Sequence, residues 1–151
     1  MTATDLHRSA VDRFAAGWDK PGPHAWDDLV TSDVVLNQPL VPASVGRAAW
    51  ADEVRRLLVL VPDLRGSVDS WAGRDDLLFI ELTLSGTLRG SRLRLPLVDK
   101  LWLDADGMVT RRDSFFDPGL VAALILRRPR SWLPWWRSGV GPFVFRRRLV
   151  G

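Results

Sequence analysis

The 151 residues include no cysteine, no tyrosine, only two histidines and only two lysines. Lack of cysteine excludes disulfides, thiolate metal sites and a cysteine nucleophile. A histidine-built metal centre or Ser-His-Asp triad would have to use His7 or His24. The first falls in a polar opening turn and the second in a Pro-Gly-Pro loop, so neither a histidine-built metal centre nor such a triad is expected. No apolar run approaches the roughly 18–20 residues that span a bilayer. The opening Met-Thr-Ala-Thr-Asp has no secretory apolar segment, so a cytoplasmic protein is expected. Acid is missing from one region altogether. After Asp117 there are seven arginines and no carboxylate side chain, so the net +3 is a tail of +7 set against a body of −4. That asymmetry argues against a nucleic-acid groove spread over the fold.

What is present changes period halfway along. Asp5 to Trp18 places Leu6, Val11, Phe14, Ala15 and Trp18 at near-helical spacing, with Thr4 or Asp5 as N-cap. A short helix is expected around Ala25–Val30, then a short strand Val34–Leu36 stopped by Pro39 and Pro42. Gly46 to Val61 reads as a second long helix, with Trp50, Val54, Leu57, Leu58 and Val61 as its apolar stripe and Pro62 as its stop. Thereafter apolar residues alternate. Strands are expected over Gly66–Ala72, Leu77–Leu88, Ser91–Leu103 and Met108–Phe116, with turns at Gly73–Asp76, Arg89-Gly90 and Asp104–Gly107. Helices first and an antiparallel meander second make an α+β fold, a curved sheet whose concave face is covered by helices and encloses a conical cavity. The expected organisation is one domain over residues 1–120 and a basic, tryptophan-rich extension over 121–151.

Two acids stand out on the late strands. In Ser91–Leu103 the odd positions Leu93, Leu95, Leu97, Asp99, Leu101 and Leu103 share one face, apolar except for Asp99. A lone acid there should have a raised pKa and donate a hydrogen bond to a substrate oxygen. Alternatively, a bulge turns it outward to Lys100 or an arginine. Asp113 interrupts the last strand, sharing its odd set with Val109, Arg111 and Phe115, while the even set holds Met108, Thr110, Arg112 and Phe116. Alternation does not choose a face here, and a surface Arg112–Asp113 pair is the other reading. Glu81 shares a face with Phe79, Thr83 and Ser85, opposite Leu78, Ile80, Leu82 and Leu84. Pattern sends it to solvent, unless the more polar face lines a ligand cavity. Asn37-Gln38, before Pro39, can orient a water or a substrate carbonyl, or simply form a turn.

These residues resemble a known family. The element order, Asp33-Val-Val-Leu-Asn-Gln-Pro39, Gly46-Arg47, Leu84-Ser-Gly-Thr-Leu-Arg-Gly90 and the closing Phe116-Asp117 are similar to the nuclear transport factor 2-like superfamily. Within it the chain looks like SnoaL-like cyclases, ketosteroid isomerases and limonene epoxide hydrolases. The resemblance implies a cone-shaped half-barrel and a cofactor-free acid–base enzyme acting on a hydrophobic polyketide-, terpenoid- or steroid-like molecule. Asn37–Arg47 and Arg112–Asp117 resemble epoxide hydrolase motifs in which Asp113 would be the base that activates water and Asn37 would help hold it. The hydrolases' Arg-x-Asp pair, a bridging cation and a general acid, falls near Glu81-Leu82-Thr83, and their water-holding tyrosine has no counterpart. Against ketosteroid isomerase, whose protonated aspartate is an established example, Asp99 aligns with the oxyanion-hole acid, Gln38 with the base and Phe14 with the tyrosine. The resemblance thus implies catalytic Asp113, Asp99 and Asn37, with Glu81, Gln38, Phe14, Arg111 and Phe115 around the substrate. It also implies a homodimer.

The tail lies outside the resemblance. Trp132, Trp135 and Trp136 sit among arginines, a mixture suited to a membrane interface over residues 129–148. The other reading is an arm that folds over the cavity mouth or packs in a dimer. A non-catalytic small-molecule carrier, or an accessory protein acting through this tail, remains the alternative to an enzyme.

Overall fold

A computed structural model describes residues 2–138. Helix α1 (Ala3–Asp19) starts two residues earlier than its periodicity suggests, at N-cap Thr2. The reason is a capping box. Thr2 Oγ1 accepts from the Asp5 amide, and the Asp5 carboxylate accepts from the Thr2 amide at 2.9 Å, satisfying two otherwise orphaned donors. The segment expected as a short helix at Ala25–Val30 forms only turns. The Leu29 carbonyl is taken by the Val109 amide at 2.8 Å, and Val30 already begins strand β1 (Val30–Gln38). Strand β2 (Val41–Val45) follows, where two prolines were expected to stop the chain. Leu40, at φ 72°, reverses direction. Pro42 is tolerated because β2 is an edge strand with no inward neighbour needing its amide.

Helix α2 (Arg47–Leu60) and strands β3 (Arg65–Arg74), β4 (Leu77–Leu88), β5 (Ser91–Leu103) and β6 (Val109–Phe115) complete the body. The sheet is six-stranded in the order β2-β1-β6-β5-β4-β3, with β1 and β6 parallel and the other pairs antiparallel. It is curved and does not close. The α+β expectation holds, and β4 and β5 have the lengths their alternation predicts. Their connection is a two-residue turn in which Arg89 and Gly90 both have positive φ, the combination that matches strand twist.

Helix α1 lies on β3 and α2 on β1. Between them is an aromatic core: Phe14 to Trp18 at 6.4 Å, Trp18 to Trp26 at 4.9 Å, and Trp26 to Trp50 at 5.8 Å between ring centroids. Phe14, expected at the substrate, is fully buried in this stack and is not among the cavity-lining residues. Gly17 makes the stack possible, since a Cβ there would lie 2.2 Å from Trp26 Nε1, which donates to the Phe14 carbonyl at 3.1 Å. Gly17→Ala should therefore lower stability by about 1–3 kcal/mol, measurable by urea titration. An unchanged midpoint would mean that the packing is looser than described.

Two short helices follow the body. Helix α3 (Pro118–Leu126) is capped by Asp117, whose carboxylate accepts from the Gly119 amide at 2.8 Å. A single 3₁₀ turn (Pro129–Ser131) joins it to α4 (Trp132–Ser138). Helix α4 packs on α2. Phe143, Phe145 and the arginines from Arg146 to Arg148 lie outside the described residues. No helix among the described residues is long and apolar enough to cross a membrane.

Candidate active site

The cavity on the concave side holds about 570 Å³, within the range of small-molecule sites. Leu57 and Leu60 of α2, Leu93, Leu95 and Leu97 of β5, and Phe116 make its apolar wall. Val121, Leu124 and Ile125 of α3 and Trp135 of α4 also line it. The C-terminal extension, as far as described, therefore folds over the cavity.

The polar floor consists of Asp99, Arg112, Ser114 and Glu53. Asp99 is on the leucine face of β5, as the alternation predicts, and only 1% exposed. Burial pushes its pKa up, and the neighbouring Glu53 charge adds to this. The Arg112 charge and the Ser114 hydrogen bond only partly offset the rise. Ser114 Oγ donates to Asp99 Oδ1 at 2.5 Å. Arg112 is 3% exposed. Burial works against its charge, but Glu53 and Asp99 more than compensate and hold its pKa above the usual arginine value. Its Nη2 donates to Glu53 Oε1 at 2.5 Å, and its guanidinium carbon sits 4.2 Å from the Trp50 ring centroid, a cation–π contact. Its Nε is buried without a protein partner. The floor thus offers an acid whose neutral form burial favours and a fixed cation paired with the Glu53 carboxylate, within one greasy hollow.

A single extra residue decides which groups reach this floor. Near the turn, Leu103 pairs with Val109, but beyond it Trp102 pairs with Arg111 and Asp99 with Ser114. Had the first register continued, Asp99 would face Asp113 and Leu101 would face Arg111. The bulge between them shifts the register by one, which flips every later side chain to the other side. Arg112 and Ser114 turn inward and Asp113 turns out.

Asp113 is accordingly not in the cavity, a correction to its expected place as the water-activating base. Arg111 Nε and Nη2 donate to its two oxygens at 3.0 and 2.9 Å, and Asn37 Nδ2 donates at 2.9 Å. Burial pushes its pKa up, but the Arg111 and Asn37 hydrogen bonds and the Arg111 and Lys100 charges outweigh that and hold it below the usual carboxylate value. Asn37, Arg111, Phe115 and Glu81 share this outer face. Glu81 accepts from Ser70 at 2.8 Å, as its pattern indicated, and Phe115 is exposed. A shallow groove there is lined by Glu81, Val98 and Phe115. Of the residues expected around the substrate, Gln38 does line the cavity. Asp113→Asn should change any turnover less than about twofold and stability by about 1 kcal/mol or less. A loss of activity with an intact fold would return the base role to Asp113.

Glu53 and Arg112 were missed as site residues. Ala49, Glu53, Leu57 and Leu60 follow helical spacing on α2, so an acid within an apolar stripe was the available signal for Glu53. Arg112 had no such signal, because the bulge hides its facing.

Residues 11–112 match the SnoaL-like domain. The chain belongs to that family. No curated protein matches it. Among solved structures similar to this SnoaL-like chain is TerC co-crystallised with polyporic acid, 20% identical, with a TM-score of 0.71 over 79% of this chain and 97% of that one. An LEH-like epoxide hydrolase from M. tuberculosis is 17% identical, with a TM-score of 0.66 over 85% and 96%. A protein with a ketosteroid isomerase-like fold from Catenulispora acidiphila DSM 44928, in complex with trimethylamine, is 18% identical, with a TM-score of 0.68 over 76% and 89%. At these identities the likeness establishes that SnoaL-like proteins and these neighbours share one fold, and function has to be argued from the site.

Proposed function

We propose that this SnoaL-like protein is an acid–base enzyme acting on a hydrophobic small molecule, with Asp99 as the proton donor. The observation that carries the reading is a lone carboxyl, buried on a leucine face, that opens onto a 570 Å³ apolar cavity. A neutral acid there can donate to an epoxide or carbonyl oxygen as charge develops on it. Arg112, held by Glu53 and Trp50, supplies a fixed positive charge beside that oxygen. Glu53, which accepts from the Arg112 guanidinium and also lines the cavity, can accept a proton from water or from an acidic C–H of the substrate. An epoxide hydrolase, a cyclase and an isomerase all need this pair of opposite tendencies, and the arrangement favours no single one of them.

The apolar wall alone would equally suit a carrier. The two readings separate on Asp99. The test is turnover of lipophilic epoxides and of β-dicarbonyl compounds by the wild type and by Asp99→Asn. Conversion that is lost in the variant supports the enzyme, whereas tight binding with no conversion supports the carrier. We expect the protein to work as a homodimer, and the exposed Phe79, Val98 and Phe115 of the outer sheet face are the surface that a second copy would cover.

A further inference from the structure

We infer that the outer face of α3–α4 docks on an anionic lipid bilayer, so that the cavity is closed by the element that touches the membrane. The segment has two distinct sides. Trp135, 6% exposed, and Ile125 point into the cavity, whereas Trp132 at 51% and Trp136 at 69% are turned to solvent. Leu126 and Leu133 are also exposed. Trp132 is held in place by its indole N–H, which donates to the Ile125 carbonyl at 3.0 Å. Large rings with one polar edge favour headgroup depth, where the apolar body and the N–H are both accommodated.

Charge selects the occupant. Arg127, Arg130 and Arg137 are exposed on this segment, and no acid follows Asp117 to the end of the chain. The body of a second copy is net acidic, but it carries 14 lysines and arginines among its 18 acids, so a face of it would in part repel these arginines. Anionic headgroups offer negative charge alone and attract arginines at the membrane surface. Pro129 breaks the segment into two short helices, so contact is by a compact wedge rather than by one long amphipathic helix. The consequence is a direct route for an apolar ligand: leaving the bilayer, it meets the two helices that line the cavity.

The test is co-sedimentation of the full chain with vesicles of phosphatidylcholine alone and of phosphatidylcholine mixed with phosphatidylglycerol. Binding should favour the mixture and weaken with salt. Each of Arg127→Gln, Arg130→Gln and Arg137→Gln should weaken it about fivefold. The pair Trp132→Ala with Trp136→Ala should weaken it about tenfold with charge unchanged. Trp136→Ala alone, at the more exposed ring, keeps the test valid if loss of the Trp132–Ile125 bond loosens the helices. Absence of binding to the mixture at low salt would overturn the inference, and so would unchanged binding in the tryptophan variants. A shift from dimer to monomer in sedimentation velocity, without loss of vesicle binding, would instead make this face a contact between copies. None of these outcomes depends on Asp99, so this inference and the acid–base reading can fail separately.

Discussion

Asp99→Asn should lower kcat by about 10²–10⁴-fold while leaving the fold intact. The amide keeps the shape of the carboxyl and can still accept from Ser114, but its N–H groups can only hydrogen-bond and cannot transfer a proton. The pH dependence makes the assignment specific. Because burial raises the folded-state pKa of Asp99 above its unfolded value, the native state holds a proton that the unfolded chain has released. Stability is therefore greatest below the unfolded pKa and falls as pH rises towards the raised folded value. The slope is at most about 1.4 kcal/mol per pH unit. Removing the ionisable group removes that slope, so Asp99→Asn should gain stability relative to the wild type as pH rises through this window. Wild-type activity should persist through this window and decline only as pH passes through the raised folded value, where the native acid loses its proton. Guanidinium titrations at several pH values, set beside a pH–rate profile, would check both effects. A variant with wild-type kcat, or one whose stability tracks the wild type at every pH, would remove Asp99 from the role.

Glu53→Gln should have the largest effect on stability, about 3–5 kcal/mol. Arg112 is almost wholly enclosed, and Glu53 is the carboxylate within hydrogen-bonding distance of its guanidinium. Deleting that charge leaves a cation in a low-dielectric hollow with too little to offset its desolvation. The cost should depend on Arg112. Combining Glu53→Gln with Arg112→Met replaces the pair by a neutral amide and an apolar chain of similar reach, and should recover most of the loss, as buried pairs replaced together often do. The double variant should nevertheless stay inactive, since the fixed cation is gone. If the single substitution proves as destabilising in the Arg112→Met background as in the wild type, the pair is not what the residue supports.

The proposed catalytic role and the structural role of the floor are therefore separable. Asp99 is an acid whose neutral form the fold favours, so its amide is structurally cheap. Glu53 is an anion the fold requires, so its amide is costly. Both contrasts follow from one difference: the guanidinium hydrogen-bonds directly to Glu53, whereas Asp99 receives its hydrogen bond from a neutral hydroxyl.

The strands β4 and β5, the two long helices, and the leucine face that carries Asp99 were all legible in the sequence. Each is a local periodicity repeated over ten or more residues, which leaves little freedom in how it folds. The alternation that places Asp99 with Leu97 and Leu101 was legible too, but it left open a bulge that would turn the acid outward, and the unbroken β4–β5 register excludes that bulge. The choice between Asp113 and Arg112 was not legible. It turns on one inserted residue near the β5–β6 turn, and an alternation that names no face on its own strand cannot locate such a bulge. The Glu53–Arg112 pair joins residues 59 apart in the chain, and Trp135 brings a stretch read as an appendage into the cavity wall. Tertiary structure alone decided these points, because strand register and helix–sheet docking are set by contacts between distant segments rather than by the order of residues within one.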